Sequence, residues 1–405
     1  MSRRTVFSSE SVTRGHPDKI CDQISDAIVD AFLYVDQGAE VSAECAVATG
    51  LVFLAVNSIS SVSVDVTGVA RHVIADIGYS KAHGFDPDAC SVISSVSHRP
   101  HTERRNGEAP GHDARSLTAS HQASVFGFAC VDTPERLPLP IALAHRLARR
   151  LDEVRQANLL PYLGPDGKTL VAVEQENGQP FRIHTVIVNV QHAADLGRAA
   201  KRGQKPNLEE DIRTAVLKPV LRDSPIAPDA HTRILINPGG EFLVGGPQRD
   251  AGLTGRKNMV DTYGGYARHG GGALSGKDPT HIDRLGSYVA RYLARNVIAA
   301  KLARRCEIHL SYAIGESRPL AVSIETFGTG LVPDEALERA VTNVIDLQPV
   351  AVLDRLELLG LPASHDGVFY RRLAAYGHFG RTDLDLPWER EDLASALAAS
   401  ISHSG

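Results

Sequence analysis

The amino-acid sequence predicts an α/β protein of the α+β type, made of three similar units that each mix sheet and helix. Three observations carry this. Strand-like and helix-like segments recur together in three stretches of about 100–130 residues along the 405-residue chain. Strand candidates come in pairs separated by short turns, which favours antiparallel or mixed sheets over a doubly wound parallel one. A content of 43% hydrophobic and 22% charged residues is that of an ordinary globular protein, long enough to bury a large core without cross-links.

In chain order, residues 17–35 read as a helix. Pro17 suits a first helical position, and Ile20, Ile24, Ala27, Ile28, Ala31 and Val35 form one apolar stripe. Residues 41–56 are rich enough in Val, Ala, Leu and Phe for a largely buried strand pair. Val62, Val66, Val69, Val73 and Ile77 mark a second helix, and a strand near 89–96 follows. Residues 97–118 hold almost nothing that could be buried, which predicts a mobile loop, a lid or a linker. Next come a strand near 124–131 and a helix near 139–155 carrying Ile141, Leu143, Leu147, Leu151 and Val154. Strands near 169–174 and 181–191 and a helix near 208–221 complete the second stretch. The third has a strand near 232–237, a Gly-rich segment, a long helix near 281–304, strands near 306–313 and 319–326, and helices within 334–359. These limits suggest domains at 4–103, 116–233 and 235–390.

A net charge of −5 gives no whole-chain reason to expect nucleic acid, so any basic site is local. No apolar run follows Arg3 and Arg4 and no stretch reaches about 18 apolar residues, so neither a signal peptide nor a membrane span is expected. Cys21, Cys45, Cys90, Cys130 and Cys306 are odd in number and scattered, as suits a reduced cytoplasm.

Four clusters could carry chemistry. The first is Gly15-His16-Pro17-Asp18-Lys19, with Asp22 and Asp26 beyond. It sits at a helix start, where free N–H groups attract anions; the plain alternative is a cap and a solvated first turn. The second holds eight glycines between 252 and 276, with Arg256, Lys257, Arg268 and Lys277 among them. Glycine lets backbone approach a ligand, and the cations suggest a polyphosphate cradle. Gly271 to Lys277 fits G-x-x-x-x-G-K, but Asp278 stands where a P-loop needs Ser or Thr. The third, Asp166-Gly167-Lys168, reads by default as a tight turn. The fourth, Ala374 to Arg381, serves equally well to dock the last segment or to act in catalysis. His98, His101, His112 and His121 match no common zinc spacing.

Together these strings resemble the S-adenosylmethionine synthetase family. Ser9-Glu10-Ser11-Val12-Thr13-Arg14-Gly15-His16-Pro17-Asp18-Lys19-Ile20 is similar to its opening signature. Gly252-Leu253-Thr254-Gly255-Arg256-Lys257, Asp261-Thr262-Tyr263-Gly264-Gly265 and the 270–278 run are similar to its central ones, and Ala375-Tyr376-Gly377-His378-Phe379-Gly380-Arg381 to its last. The resemblance runs from about residue 7 to 390. It implies three similar α/β domains around a pseudo-threefold axis and a homodimer with shared active sites, often paired into tetramers. The implied reaction joins methionine and ATP, with triphosphate leaving and then being hydrolysed. By the resemblance, His16 assists departure of the C5′ oxygen. Asp18 and Asp283 ligate two magnesium ions, and Glu44 associates with potassium. Lys168, Arg256, Lys257 and Lys277 hold the triphosphate, with Asp166 beside Lys168. Phe242 and Ile314 line the adenine and thioether pockets, and Asp250 faces the acceptor's amino group.

Four positions depart from the family pattern, all on the acceptor side. Asn57 stands where the family has glutamate, His121 where it has aspartate, His281 where it has lysine, and Arg99 about where it has glutamine. A sulfonium product is stabilised by an aspartate and not by a histidine. One expectation is therefore adenosyl transfer to a methionine analogue or another nucleophile, with His121 as its base. The alternatives are ordinary S-adenosylmethionine synthesis with the changes compensated, triphosphate hydrolysis alone, and a non-catalytic regulatory paralogue.

Overall fold

The computed structural model describes residues 4–101, 118–119, 121–196 and 206–402, so most of the loop expected at 97–118 lies outside the described residues. Eleven strands are described. They are β1 (Arg4–Val12), β2 (Glu40–Ala48), β3 (Leu51–Ile59), β4 (Ser91–Arg99), β5 (Ala123–Cys130), β6 (Leu163–Glu176), β7 (Gln179–His192), β8 (Arg233–Ile236), β9 (Gly252–Leu253), β10 (Arg305–Tyr312) and β11 (Ala321–Glu325). The main helices are α1 (Pro17–Val35), α2 (Val66–Ile77), α3 (Leu139–Gln156), α4 and α5 (Ile282–Ala299). Of these, α4 runs through Leu208–Ile212, a π-helical turn at Arg213–Leu217, and Lys218–Arg222.

Three sheets result, ordered β1-β6-β7-β8, β4-β3-β2-β9 and β11-β10-β5. All are mixed or antiparallel: β3–β4 and β7–β8 are parallel and the remaining pairs antiparallel. Each sheet is covered by one long helix. α1 packs on β2, α3 on β6 and β1, and α5 on β5 and β10. A repeated unit of one helix of 18 or 19 residues on one sheet is thus built three times.

The sheets do not follow the chain in simple blocks. β1 leaves its own stretch to pair with β6 from Arg4↔Glu176 to Val12↔Lys168. β5 pairs with β10, and Gly127 is what lets α5 lie so close. A Cβ there would stand 2.0 Å from the backbone carbonyl of Ala290. β1 escapes a hydrophobic-alternation reading because its inward positions are serines. Ser9 Oγ donates to Gly264 O at 2.8 Å and Ser11 Oγ bonds His145 Nδ1 at 2.8 Å, so they are buried yet satisfied.

All five cysteines are buried and free. Among the described residues, no helix is long and apolar enough to cross a membrane.

Candidate active site

The first half of the site is built at the mouth of α1. His16 is the N-cap, and its Nδ1 accepts the Asp18 N–H at 3.2 Å. That bond leaves the ring proton on Nε2. Burial, with Lys257 and Lys168 nearby, lowers the imidazole to about 4, so the ring is a neutral N–H donor at ordinary pH. Asp18 follows in the first turn. Burial opposes its charge, but Lys257 Nζ at 2.6 Å and the Leu253 N–H at 3.0 Å hold its carboxyl below the usual range. Arg256 Nε lies 3.7 Å from the same carboxylate. Lys168, on β6, pairs with Glu10 on β1 across the sheet. Asp166 takes the Gly246 N–H at 2.8 Å, and its burial pushes the carboxyl up to about 6. Phe242 is half-buried under the Arg249 guanidinium, 5.0 Å from the ring centre, and Asp250 is exposed nearby.

The second half gathers around the start of α5. Lys277 pairs with Asp283 in the first turn, and His281 Nδ1 stands 3.5 Å from the same carboxylate. His121 stacks on His281 with ring centres 3.9 Å apart and planes at 20°. Burial, then Lys277 and His121, lower His281 to about 4. Ser97, Asn57, Ser42 and Lys277 form one continuous rung across β4, β3, β2 and the loop, which brings Asn57 to the same side as Lys277. Gly315 N donates to Ala119 O at 3.1 Å, placing the exposed Ile314 near Ala119, two residues before His121 in the sequence. Arg99 is exposed at the end of β4.

Both halves hang on one strand. Leu253 pairs with Ala46 of β2 and Lys277 bridges Ser42, four residues away, or about 13 Å along a strand. Between them sits Glu44, its side chain on the open face. Lys257–Asp18, Lys277–Asp283 and Lys168–Glu10 are thus three ammonium–carboxylate pairs, and an ammonium so placed can exchange a carboxylate for a phosphate oxygen. The carboxylates of Asp18 and Asp283 are hard oxygen donors, one in each half. That fits magnesium, which takes one or two protein carboxylates and leaves its other positions to phosphate and water. Among the described residues no group of three or more ligating side chains is placed to hold an ion without a substrate. The exposed oxygens of Glu44 fit a weakly held monovalent cation.

Not every cation flagged by the sequence is available. Arg268 is spent on Glu307 and Glu325, at 2.6 Å each, and lies over Phe126. We expect Arg268→Leu to lower the thermal midpoint and to leave triphosphate affinity within about twofold, since the ion pairs it loses are structural. A calorimetric titration checks this. No P-loop forms: Lys277 sits in a β-bridge, and the next helix begins only at Ile282. The C-terminal cluster docks the tail. His378 is fully buried, with Nδ1 2.9 Å from Tyr288 Oη, while Arg381 donates to the carbonyls of Arg372 and Ala375. The pairing of Lys168 with Glu10 needs the β1–β6 register, in which Val12, two residues from Glu10 on the same face, lies opposite Lys168.

A basic clamp whose lysines are matched by carboxylates, with a neutral histidine at a helix mouth, is an arrangement that can stabilise a departing polyphosphate. Comparison with known proteins narrows the class. Family models described as the N-terminal, central and C-terminal domains of S-adenosylmethionine synthetase match residues 4–100, 116–242 and 244–390. An "S-adenosylmethionine synthase" of Synechococcus sp. (strain JA-2-3B'a(2-13)) is 50% identical over 403 residues, covering 97% of each chain. One of Trichormus variabilis is 49% identical over 414 residues, covering 100% of this chain and 99% of its own. One of Gloeobacter violaceus is 49% identical over 412 residues, covering 98% of each. This chain belongs to the S-adenosylmethionine synthetase family, and it is an adenosyl-transferring enzyme.

Proposed function

We propose that the chain joins ATP and methionine to give S-adenosylmethionine, and that the triphosphate released is then hydrolysed to pyrophosphate and phosphate. The observation that carries this is the bond from the Asp18 N–H to His16 Nδ1, which leaves the imidazole proton on Nε2 at the mouth of α1, with Lys257 and Lys168 nearby. The methionine sulfur attacks C5′, the C5′–O bond breaks, and its electron pair leaves with the triphosphate. His16 donates its Nε2 hydrogen bond to the departing oxygen. Lys168, Arg256, Lys257 and Lys277 neutralise the charge that develops there. Phe242 and Ile314 offer the apolar surfaces for adenine and thioether, and Asp250 faces the amino group. When bound, magnesium neutralises phosphate oxygens; Asp18 and Asp283 would hold it, and Glu44 would hold potassium.

We place the complete site between two subunits of a homodimer, with pairing into tetramers as a further step. Its two halves stand about 13 Å apart on one chain, and the sheet face carrying Glu44 also exposes Phe53 and Ile93, as a second copy would cover.

A second reading rests on the stack of His121 and His281. Two stacked imidazoles stand where the family has an aspartate and a lysine, so a nucleophile that gives up a proton, with His121 as base, would suit them better than methionine. Purified protein is incubated with ATP, magnesium and potassium, with and without methionine, and adenosyl products and phosphates are followed together. S-adenosylmethionine matched by pyrophosphate and phosphate is expected. Phosphate release with no S-adenosylmethionine overturns the first reading. The second is then supported if His121→Asp, with or without His281→Lys, restores methionine turnover.

A further inference from the structure

Asp18, Asp22, Asp26 and Asp30 follow one another every fourth residue along α1, and all four are buried. On a helix such positions share one face, about 6 Å apart. Each carboxylate accepts backbone N–H groups from a segment remote in sequence. Leu253 donates to Asp18 at 3.0 Å, Gly255 to Asp22 at 2.8 Å and Gly276 to Asp26 at 2.8 Å. Phe369, Tyr370 and Arg371 donate to Asp30 at 3.0, 2.9 and 2.9 Å. Asp22 also accepts Lys19 at 2.9 Å, and Asp26 receives Arg284 at 2.6 and 2.8 Å; these four side chains are fully buried.

The middle pair has no chemical task in the transfer reaction, yet each member grips the glycine-rich segment just ahead of a site lysine. Gly255 is two residues before Lys257 and Gly276 is one before Lys277. Glycine backbone is the loosest there is, so a cation carried on it has no fixed place unless the chain is held. Charge-assisted bonds to buried carboxylates hold it. At Gly276 the fit is exclusive: φ is +83° and a Cβ would stand 2.1 Å from Ala43 O.

We propose that Asp22 and Asp26 are positioning residues: each fixes the glycine backbone that carries one site lysine, Asp22 for Lys257 in one half of the site and Asp26 for Lys277 in the other. The N–H groups of Leu253, Gly255 and Gly276 are turned inward to the helix, which leaves the side chains of Lys257 and Lys277 to hold phosphate. This rests on the assignment of both lysines to the triphosphate made above.

Inorganic tripolyphosphate with magnesium is the probe, titrated calorimetrically into the full-length wild type, Asp22→Ala, Asp22→Asn and Lys257→Ala, with circular dichroism as the check on folding. Asp22→Ala should keep the wild-type spectrum and bind about 10–100-fold more weakly, as a misplaced group does. Asp22→Asn should weaken binding less than Asp22→Ala, because its Oδ1 still accepts the Gly255 N–H although its amide loses the Lys19 ammonium. The KM for the acceptor should not move in either. A folded Asp22→Ala with wild-type affinity overturns the positioning role. Wild-type affinity in Lys257→Ala overturns the assignment of that lysine instead. Should Asp22→Ala not fold, Gly276→Ala attacks the partner contact from the loop side: weaker binding supports the proposal and unchanged binding overturns it.

Discussion

Replacing His16 by asparagine should slow adenosyl transfer by about 10²–10⁴-fold, the range a positioned proton donor supplies, and should leave the fold intact. Asparagine is the cleaner variant because His16 has two tasks. Its Nδ1 caps α1 by accepting the Asp18 N–H at 3.2 Å, and asparagine is among the best N-cap residues. The helix start therefore keeps its cap, and only the Nε2–H is lost. Single-turnover rates are the right measurement, since product release can mask the chemical step. A rate within about threefold of wild type would remove His16 from the reaction. The pH behaviour follows from the same geometry. Burial and the nearby lysines hold the imidazole at about 4, so between pH 8 and 5 it carries one proton throughout. Its ring signals in a histidine NMR titration should not move over that span, and the activity profile should show no break near 6.5 due to this residue.

What could be read beforehand was local. α1 was legible end to end because its apolar stripe, its proline and its cap all lie within the helix itself. β1 was not, because Ser9 and Ser11 take the inward places and are satisfied by a carbonyl and a histidine far along the chain. Strand exchange escaped for the same reason: nothing in residues 4–12 announces pairing with 168–176. In the site, motif strings identified Asp18, Lys257, Lys277 and Asp283 as a group. The pairing of Asp18 with Lys257 spans 239 positions and needs folded coordinates. His121 and His281 looked like two separate departures; stacked, they are one coupled change. Counting cations also overstates a site, because Arg268 has carboxylate partners that sequence proximity does not reveal.

Arg284→Met should be the most damaging substitution for stability, costing about 3–5 kcal/mol, as breaking a buried ion pair does. Arg284 is fully buried. Burial opposes its charge, but the carboxylate of Asp26 keeps it protonated, at 2.6 and 2.8 Å through one nitrogen, while the other donates to Lys277 O at 2.8 Å. Methionine matches much of the volume and supplies none of the donors. Asp26 then keeps the Gly276 N–H and the Ser275 side chain but no counter-charge, and its carboxyl, already raised by burial, rises further. A carboxyl raised in the folded state contributes stability that is present below the unfolded carboxylate pKa and is lost as pH climbs. The defect in Arg284→Met should therefore be deepest at neutral pH and ease toward pH 4, as read from urea midpoints at both. Asp26→Leu combined with Arg284→Met should recover much of the loss, since an apolar pair of similar volume replaces a buried ion pair at little cost. It should not recover triphosphate affinity, because Gly276 has lost its anchor and Lys277 moves with it. A single variant that loses less than about 1 kcal/mol, within the ordinary range for surface changes, would mean the pair is not the keystone its burial indicates.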